Sequence, residues 1–248
     1  MASVALVTGG GTGLGRIVAH TLAGNGFEVT ICGRTAATLA DTVATAPAGA
    51  RIDPITADVS DEQSVEALFD TLIERHGRLD VLFNNAGINV AARPIDEIPV
   101  AEWRQVIDVN LHGAFLVARA AFARMRRQDP QGGRIINNGS ISAHVPRPGS
   151  VPYTVSKHAI TGLTRTLSLD GRAFDIACGQ IDIGNAASAM TETISSGIPQ
   201  ADGSVRAEPT MPPQSVGDAV LHMASLPLSA NVQFMTIMAS GMPYIGRG

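Results

Sequence analysis

The sequence VALVTGGGTGLG at residues 4–15 decides the fold of this chain. Its first four residues are apolar and predict a buried β-strand, and the amphipathic stretch Leu14–Ala23 predicts a helix. Glycines between a strand and a helix let the backbone approach a pyrophosphate, whose charge then faces the helix N-terminus. The candidate phosphate-binding residues are Gly9, Gly11, Thr12, Gly13, Leu14 and Gly15. Because the spacing is Gly9-x-x-x-Gly13-x-Gly15 and not G-x-G-x-x-G, a flexible loop without a ligand stays as the alternative.

The same alternation of short apolar runs and longer amphipathic stretches continues along the chain. Strands are predicted at Val4–Val7, Phe27–Cys32, Ile52–Thr56, Asp80–Phe83, Arg134–Asn138, Phe174–Gly179 and Val232–Met238. Helices are predicted at Leu14–Ala23, Thr35–Thr45, Glu62–His76, Trp103–Arg127, Tyr153–Leu169 and Gln214–Ser225. Strands that alternate with helices pair in parallel, and right-handed crossovers place helices on both faces of the sheet. The prediction is an α/β fold with a doubly wound parallel sheet.

The composition fits a single domain over residues 1–248. Hydrophobic residues make up 45% of the chain and charged residues 16%, which is enough apolar material for a large core. A net charge of −4 gives no indication of a nucleic-acid-binding face or a basic membrane patch. We find no apolar run of the roughly 18 residues that a membrane span needs. The N-terminus enters a strand at once, without the basic region of a secretory leader.

The two cysteines, Cys32 and Cys178, lie far apart in the sequence. They lack metal-ligand spacing, so no metal site is expected. We interpret them as reduced, partly buried thiols of a cytoplasmic protein.

Residues 185–213 differ from the rest of the chain because Ser, Thr, Met, Gly and Pro dominate and periodicity fades. A segment of that length without regular structure is unusual in a compact domain and is often a lid. We therefore predict that this segment covers the substrate and carries its specificity.

Lys157 is the only lysine in the chain, and it follows Tyr153, one of two tyrosines, by four residues. Residues four apart share one face of a helix, so the ammonium can reach the phenol. A phenol beside a cation is an activated acid/base. The alternative is a surface lysine left by chance in an arginine-biased composition.

The predicted second strand ends at Cys32-Gly33-Arg34. NAD-binding sites usually place a carboxylate at the position of Gly33, where it holds the ribose hydroxyls. Its loss removes repulsion against a 2′-phosphate, and Arg34 can pair with that phosphate bidentately. This pattern favours NADP, with NAD possible if Arg34 is merely solvated.

Taken together, several short motifs resemble the short-chain dehydrogenase/reductase family in order and spacing over roughly residues 4–180. They are Thr8–Gly15, Asp58-Val59, Asn84-Asn85-Ala86-Gly87, Asn110, Ser140 and Tyr153-x-x-x-Lys157. The resemblance implies a Rossmann-type fold, a nicotinamide cofactor and hydride transfer between an alcohol and a carbonyl compound.

The resemblance also implies a catalytic set of four residues. Tyr153 would exchange the proton with the substrate oxygen. Lys157 and the oxidised nicotinamide are the positive charges available to lower the tyrosine pKa, and Lys157 would also hold the nicotinamide ribose. Ser140 would orient the substrate oxygen. Asn110 would hold a water that links Lys157 to solvent. Bringing a free tyrosine near pH 7 needs a downward pKa shift of about three units.

Further residues are implied in cofactor binding. Asp58 and the backbone of Val59 would meet the adenine, and Asn85, Ala86 and Gly87 would line its ribose. A turn that merely ends the fourth strand is the alternative for residues 84–87.

The chain departs from the family after the predicted sixth strand. There Cys178 takes the position of a usual proline, and Ile183 falls where a threonine meets the nicotinamide amide. We therefore expect the backbone at Ile181 and Ile183, or Asn185, to hold the amide. The C-terminal stretch also lacks the common Asp-Gly-Gly, and its methionines fill the core or cover a neighbouring subunit's site.

The leading hypothesis is an NADP-dependent enzyme for a small alcohol/carbonyl pair, and a 3-oxoacyl-thioester reductase is the runner-up. The runner-up needs a basic patch for an acidic carrier, for which Arg124, Arg126 and Arg127 are candidates, although a basic helix end usually complements the helix dipole. A non-catalytic NADP sensor is a third reading, but such proteins typically lose the Tyr or the Lys. His144 and Arg147 are candidates to touch substrate, if they are not simply solvated. Long helices in this family pair across a twofold axis, so a homodimer or homotetramer is expected.

Overall fold

The computed structural model describes residues 2–187 and 197–245. Seven strands form one parallel sheet in the order β3-β2-β1-β4-β5-β6-β9, and β7 and β8 form a two-residue antiparallel pair. The strands are β1 Val4–Thr8, β2 Glu28–Gly33, β3 Arg51–Thr56, β4 Val81–Asn84, β5 Gly133–Asn138, β6 Ile176–Ile183, β7 Ile198–Pro199, β8 Val205–Arg206 and β9 Phe234–Ile237. The predicted doubly wound α/β fold of Rossmann type is confirmed.

Helices cover both faces of the sheet. They are α1 Gly13–Gly24, α2 Ala36–Ala44, α3 Glu62–His76, α4 Val100–Ile107, α5 Ala114–Arg127, α6 Val151–Asp170 and α7 Gln214–Ser225. On one face, Leu22 of α1 and Val220 of α7 belong to one buried cluster, and on the other Leu72 of α3 joins Val117 of α5 in a second. The sheet thus has an apolar core on each side, as a doubly wound fold requires.

The order of the strands reverses at β1, which pairs with β2 on one side and with β4 on the other. Connections leave a doubly wound sheet in opposite directions at this point, and a crevice opens beyond the carboxyl ends of the strands. The Thr8 hydroxyl at the end of β1 accepts hydrogen bonds from the backbone N–H of Asn85 at 2.8 Å and of Ala86 at 2.9 Å. The two loops that border the crevice are therefore tied together.

Strand β6 differs most from its prediction, because it begins at Ile176 and runs to Ile183. Phe174 belongs to the short turn before the strand. Gly179 suggests a strand end, but it lies inside β6, where an added Cβ would overlap the carbonyl oxygen of Val232. The polar residues Gln180 and Asp182 are fully buried with hydrogen-bond partners, so the strand continues through residues that look like a loop.

The predicted helix Trp103–Arg127 begins earlier, at Val100, and contains a π-helical segment at Asp108–Gly113. The other elements of the sheet and its flanking helices agree with prediction within two residues at each end. Both cysteines are buried more deeply than expected, and neither forms a disulfide.

By length and composition alone, the continuous helical run Val100–Arg127 is apolar enough to cross a membrane, contrary to the expectation from the sequence. Of its most apolar window, 56% is buried inside the protein. Val117, Ala120 and Ala121 of this run belong to the core cluster against the sheet. Packing in the fold thus accounts for the hydropathy of the helix.

The predicted lid, residues 185–213, is only partly described, since residues 188–196 lie outside the described residues. Where it is described, the segment has more regular structure than expected. It contains the β7/β8 pair and a parallel bridge between Ala186 and Met211. That bridge fixes both ends of the segment beside the carboxyl end of β6.

Candidate active site

The glycine-rich turn adopts a conformation that few other residues permit. Gly9 and Gly13 have φ angles of +66° and +52°, in the left-handed region. At Gly15 a Cβ would overlap the carbonyl oxygen of Gly9, whereas at Gly13 nothing lies within 4 Å of an added Cβ. The turn is therefore packed tightly against its own backbone and open on the side of the crevice.

Arg16 braces this turn from outside, a role that the sequence analysis missed. Its guanidinium donates to the carbonyl oxygen of Gly11 at 2.7 Å and to the hydroxyl of Thr42 at 2.9 Å. The Thr42 hydroxyl in turn donates to the carbonyl oxygen of Gly10 at 3.0 Å. An arginine right after the last glycine of the turn is the only sequence signal for this contact.

Two adjoining cavities, of about 250 and about 280 Å³, follow the carboxyl edge of the sheet. Both are lined by Gly9, Thr12, Ala86 and Gly87. The first is also lined by Gly13, Leu14, Gly15, Asn85, Asn138, Gly139, Tyr153, Lys157, Ile183, Gly184 and Ala186. The second is also lined by Gly11, Gly33, Arg34, Thr35, Thr38, Ala57, Asp58, Val59, Ile88 and Val109. The structure thus gathers most of the predicted cofactor and catalytic residues along one continuous cleft.

Ser140, Tyr153 and Lys157 converge at one end of this cleft. Ser140 follows β5 and caps the short turn Ile141–Ala143, where its hydroxyl accepts from the N–H of Ser142 at 3.1 Å. The same side chain hydrogen-bonds to Tyr153. Ser140 therefore caps this turn and lies beside Tyr153, while its implied role in orienting the substrate oxygen stays a prediction.

Lys157 makes a different contact from the one expected. Its ammonium lies 5.5 Å from the centroid of the Tyr153 ring and donates to the carbonyl oxygen of Asn138 at 2.7 Å. The helical spacing does bring the two side chains to one face, but the main-chain carbonyl at the end of β5 is the stronger acceptor for a buried ammonium.

The predicted lowering of the Tyr153 pKa by Lys157 is wrong for the protein alone. Burial raises the pKa of Tyr153, while the hydrogen bond with Ser140 and the nearby Arg147 charge oppose that rise. Burial also lowers the pKa of Lys157 to about 8, and the charge of Asp182 opposes that shift. Tyr153 is consequently a phenol, and not a phenolate, near neutral pH.

Asn110 lies in the π-helical segment and is 3% exposed. Its side-chain amide donates to the carbonyl oxygen of Ile88 at 2.9 Å and to Ser156 Oγ at 3.3 Å, and its oxygen accepts from the N–H of Ile88 at 2.8 Å. Single π-turns inside α-helices are frequent at functional sites. Here the side chain fixes the loop after β4, and its implied role in holding a water stays a prediction.

The cleft end near β2 carries few charges. Arg34 is exposed there, and its charge contributes to lowering the pKa of Asp58, after the hydrogen bond from the Ser60 hydroxyl as the largest cause. One oxygen of Asp58 is occupied by the hydroxyl and N–H of Ser60, at 2.6 and 2.9 Å. Asp58 is the one carboxylate among the described residues that line this cavity.

The alignment of Cys178 with the family's proline is wrong. Cys178 is fully buried and does not line the cleft, because it lies in the middle of β6, where it pairs with Ile135 of β5. The strand ends only at Ile183, and the backbone that enters the cleft is Ile183-Gly184 with Ala186. Ile181 is fully buried in the core, so of the two predicted isoleucines only Ile183 lines the cleft.

Asn185 is committed to other partners than a nicotinamide amide. Its oxygen accepts from Arg147 at 2.8 Å, and its amide nitrogen donates to Glu208 at 2.8 Å. Arg147 also forms an ion pair with Glu208 at 2.6 Å. Arg147 is thus held by the lid segment, and this cluster joins the lid to the loop that precedes Tyr153.

The sequence analysis also missed Asp182, which is 1% exposed. It accepts from the backbone N–H of Ser140 at 3.0 Å and from His144 Nε2 at 2.8 Å. The alternation of Gln180, Ile181, Asp182 and Ile183 is a strand signal that places Asp182 on the face of Ser140. The predicted sixth strand ends at Gly179, so Asp182 falls outside it.

One polar atom in the cleft has no partner within the described residues. Asn138 Oδ1 is buried without a hydrogen bond, although its amide nitrogen donates to Asn85 at 2.8 Å. A buried acceptor of this kind calls for a donor from a ligand. Among the described residues, no cluster of His, Cys, Asp or Glu is arranged to hold a metal ion.

The chain is similar in sequence to known proteins. Residues 3–199 match the family described as short chain dehydrogenase. A 3beta-hydroxysteroid dehydrogenase of Mediterraneibacter gnavus is 36% identical over 196 residues, which is 79% of this chain and 70% of the relative.

Solved structures agree with that match. The structure of levodione reductase superimposes with a TM-score of 0.85 at 29% identity, covering 95% of this chain and 96% of the other. A variant of actinorhodin polyketide ketoreductase with NADPH superimposes with a TM-score of 0.88 at 26% identity, covering 98% of each chain.

Proposed function

This chain belongs to the short-chain dehydrogenase/reductase family of oxidoreductases, and from that premise we propose that it transfers hydride between NADP(H) and a small alcohol/carbonyl pair, with Tyr153 as general acid/base. The observation that carries the proposal is the meeting of Ser140, Tyr153 and Lys157 at the end of a cleft whose other wall is the glycine-rich turn. A nucleotide cleft and an acid/base group in one place are the requirements of this reaction.

The residues present fit a nicotinamide dinucleotide. The backbone of the turn at Gly9 and Gly13 is bare of side chains toward the crevice, and it leads into the N-terminus of α1, which favours a pyrophosphate. Asn138 offers a buried unpaired acceptor in the same cleft. When bound, the cofactor supplies or accepts the hydride.

The chain's own residues supply the proton and the geometry. In carbonyl reduction, the Tyr153 hydroxyl donates its proton to the substrate oxygen as that oxygen gains negative charge, and in alcohol oxidation the proton returns. Ser140 donates a hydrogen bond to the same oxygen and orients it. The Lys157 ammonium stabilises the tyrosinate that forms. A tyrosine kept protonated by burial suits the reductive direction.

The preference for NADP over NAD rests on Arg34. It is the exposed cation at the end of β2, where the family's carboxylate is replaced by Gly33, and the one carboxylate among the described residues lining this cavity is Asp58, after β3. One guanidinium is sufficient to set such a preference.

The names of the relatives bear on the class of substrate. A hydroxysteroid dehydrogenase and a ketoreductase are among them, which favours a secondary alcohol and its ketone. The candidate basic patch of a thioester reductase is largely occupied. Arg124 pairs with Glu66 and Asp70, and Arg126 lies 4.2 Å from the Phe174 ring centroid. These contacts favour a free small molecule over an acidic carrier.

The direct test is to titrate the purified protein with NADPH and with NADH, following nicotinamide fluorescence, and then to screen ketones with the bound cofactor. We expect tighter binding of NADPH and turnover of a ketone. Tighter binding of NADH would keep the family reaction and overturn the cofactor preference. Binding of neither would contradict the assignment of the cleft, and binding without turnover of any carbonyl compound would favour a non-catalytic sensor.

A further inference from the structure

Asp182 lies behind the catalytic residues, outside the roles assigned above. Its Oδ1 accepts from the backbone N–H of Ser140 at 3.0 Å and from Gln180 Nε2 at 2.7 Å, and its Oδ2 accepts from His144 Nε2 at 2.8 Å. The carboxylate fits here because residue 139 is glycine, and a Cβ at Gly139 would overlap Oδ1. A buried carboxylate with three donors is built into strand β6 and is not a chance surface group.

The contact with Ser140 has a geometric consequence. The N–H that Asp182 holds belongs to the residue whose hydroxyl bonds to Tyr153. Ser140 has extended backbone angles and begins a turn, so its orientation depends on what anchors its amide. Asp182 supplies that anchor from the neighbouring strand β6.

Lys157 gives the carboxylate a second consequence. The ammonium is 5% exposed, and it donates a hydrogen bond to the neutral carbonyl of Asn138. A buried ammonium is unstable unless a negative charge lies nearby. Burial lowers the pKa of Lys157 to about 8, and the Asp182 charge is the one interaction that raises it.

None of the other charged or titratable groups described near this site supplies a negative charge to Lys157. Tyr153 lies on the same helix as Lys157 and is neutral as a phenol. His144 and Arg147 come from the loop after β5, and Arg147 is paired with Glu208 of the lid. Asp182 and Lys157 hold neighbouring parts of one turn, since the ammonium donates to the carbonyl oxygen of Asn138 and the carboxylate accepts from the backbone N–H of Ser140 two residues later. Among the described residues, Asp182 is therefore the carboxylate whose charge acts on Lys157.

We propose that Asp182 is a positioning residue of this active site, which anchors Ser140 through its backbone N–H and acts as the counter-charge that keeps Lys157 an ammonium. The inference deepens the proposed function, on which it rests for its catalytic meaning. The charge pairing itself is a property of the folded protein and can be measured without substrate.

Lys157 is the only lysine, so protein labelled with [¹³Cε]lysine gives a single side-chain signal that can be titrated by NMR. We expect a midpoint near pH 8 in the wild type and a midpoint lower by about one pH unit or more in Asp182→Asn, as for loss of a nearby opposite charge. Asp218→Asn removes the same charge from the exposed face of α7 and should leave the midpoint unchanged.

An unchanged midpoint in folded Asp182→Asn would overturn the proposal. A wild-type midpoint below pH 7 would overturn it as well, and that outcome can be observed without any variant. If the midpoint falls as expected but no ketone is reduced with any cofactor, the charge pairing stands and the proposed function fails.

The catalytic meaning is tested by the pH profile of kcat for ketone reduction. We expect the alkaline limb of Asp182→Asn to move to lower pH by the same amount as the NMR midpoint. A loss of kcat that is equal at every pH would mean that Asp182 has only a structural role, and it would contradict the counter-charge.

Discussion

The Lys157 ammonium donates to the main-chain carbonyl oxygen of Asn138 at 2.7 Å, and this contact joins the helix that carries Tyr153 to the end of strand β5. Asn138 is followed by Gly139 and Ser140, so this hydrogen bond helps to set the distance between the proposed acid and the residue proposed to orient the substrate oxygen. A lysine is suited to this place because a compact ammonium can approach a single oxygen, which a planar guanidinium does less well.

Replacing the reacting hydroxyl tests the proposed chemistry most directly. Tyr153→Phe keeps the ring and its packing but removes the proton donor, so we expect kcat to fall by about 10²-fold to 10⁴-fold or more. Cofactor affinity should change little, because the glycine-rich turn is untouched. Steady-state kinetics and fluorescence titration of the same preparation would check both expectations. Turnover near the wild-type rate would exclude Tyr153 as the acid.

As the pH rises, the rate of ketone reduction should fall when Lys157 loses its proton, before Tyr153 is deprotonated. Burial raises the pKa of Tyr153, so the phenol remains protonated through neutral pH. The pKa of Lys157 is about 8, and its charged form is lost as the pH rises through that value. We therefore expect kcat for ketone reduction to be flat below about pH 7.5 and to fall about tenfold per unit above pH 8. A profile that stays flat to pH 10 would show that the ammonium is not required.

Sequence reasoning succeeded where local signals govern the structure. The bounds of α3 follow from Asp61, whose carboxylate caps the helix by accepting from the N–H of Gln63 and Ser64, and from Gly77, which ends it at φ +74°. The glycine-rich turn was equally visible, since its conformation depends on the residues within it. In both cases the deciding contacts lie within a few residues of one another.

Sequence reasoning failed where contacts between residues distant in the sequence govern the structure. Gly179 and Asp182 look like loop residues until the close approach of Val232 and the amide of Ser140 are known. The partner of Lys157 was assigned to Tyr153 by helical spacing, but a carbonyl 19 residues away in sequence receives the hydrogen bond. The residues that line the site could be predicted from the sequence, but most of their hydrogen-bond partners could be identified only from the structure.

Arg34 should decide between the two cofactors. Arg34→Ala removes the exposed cation at the end of β2 and should weaken NADPH binding by about tenfold to a hundredfold, the range of one charge-assisted hydrogen-bonded pair. NADH affinity should stay within about twofold, since NADH has no 2′-phosphate. Parallel fluorescence titrations would measure both. An equal loss for the two cofactors would remove the specificity role from Arg34.

The turn should tolerate no side chain at Gly15. The Cβ of Gly15→Ala would overlap the carbonyl oxygen of Gly9, so we expect the free energy of unfolding to fall by about 1–3 kcal/mol, together with a loss of cofactor binding. Gly162→Ala is a matched control in α6, because its Cβ meets nothing within 4 Å and alanine is the better helix former by about 1 kcal/mol. Urea unfolding of the two variants should therefore give changes of opposite sign. A Gly15→Ala variant as stable as the wild type would contradict the close backbone packing.

Assembly through α5 and α6 can be tested on their exposed apolar residues. Phe115 of α5 is 46% exposed and Val155 of α6 is 42% exposed, and in this family such helices pair across a twofold axis. We expect the wild type to run as a dimer or tetramer of its 25.7 kDa chain, and Phe115→Asp to shift it toward the monomer in size-exclusion chromatography with light scattering. Val43→Asp, on the exposed side of α2, introduces the same charge away from these helices and should leave the mass unchanged. A carboxylate buried at a twofold interface would meet its own copy and repel it, which is why Phe115→Asp should dissociate the assembly. A monomeric wild type would contradict the expected assembly, and a Phe115→Asp variant of unaltered mass would show that Phe115 lies outside the subunit contact.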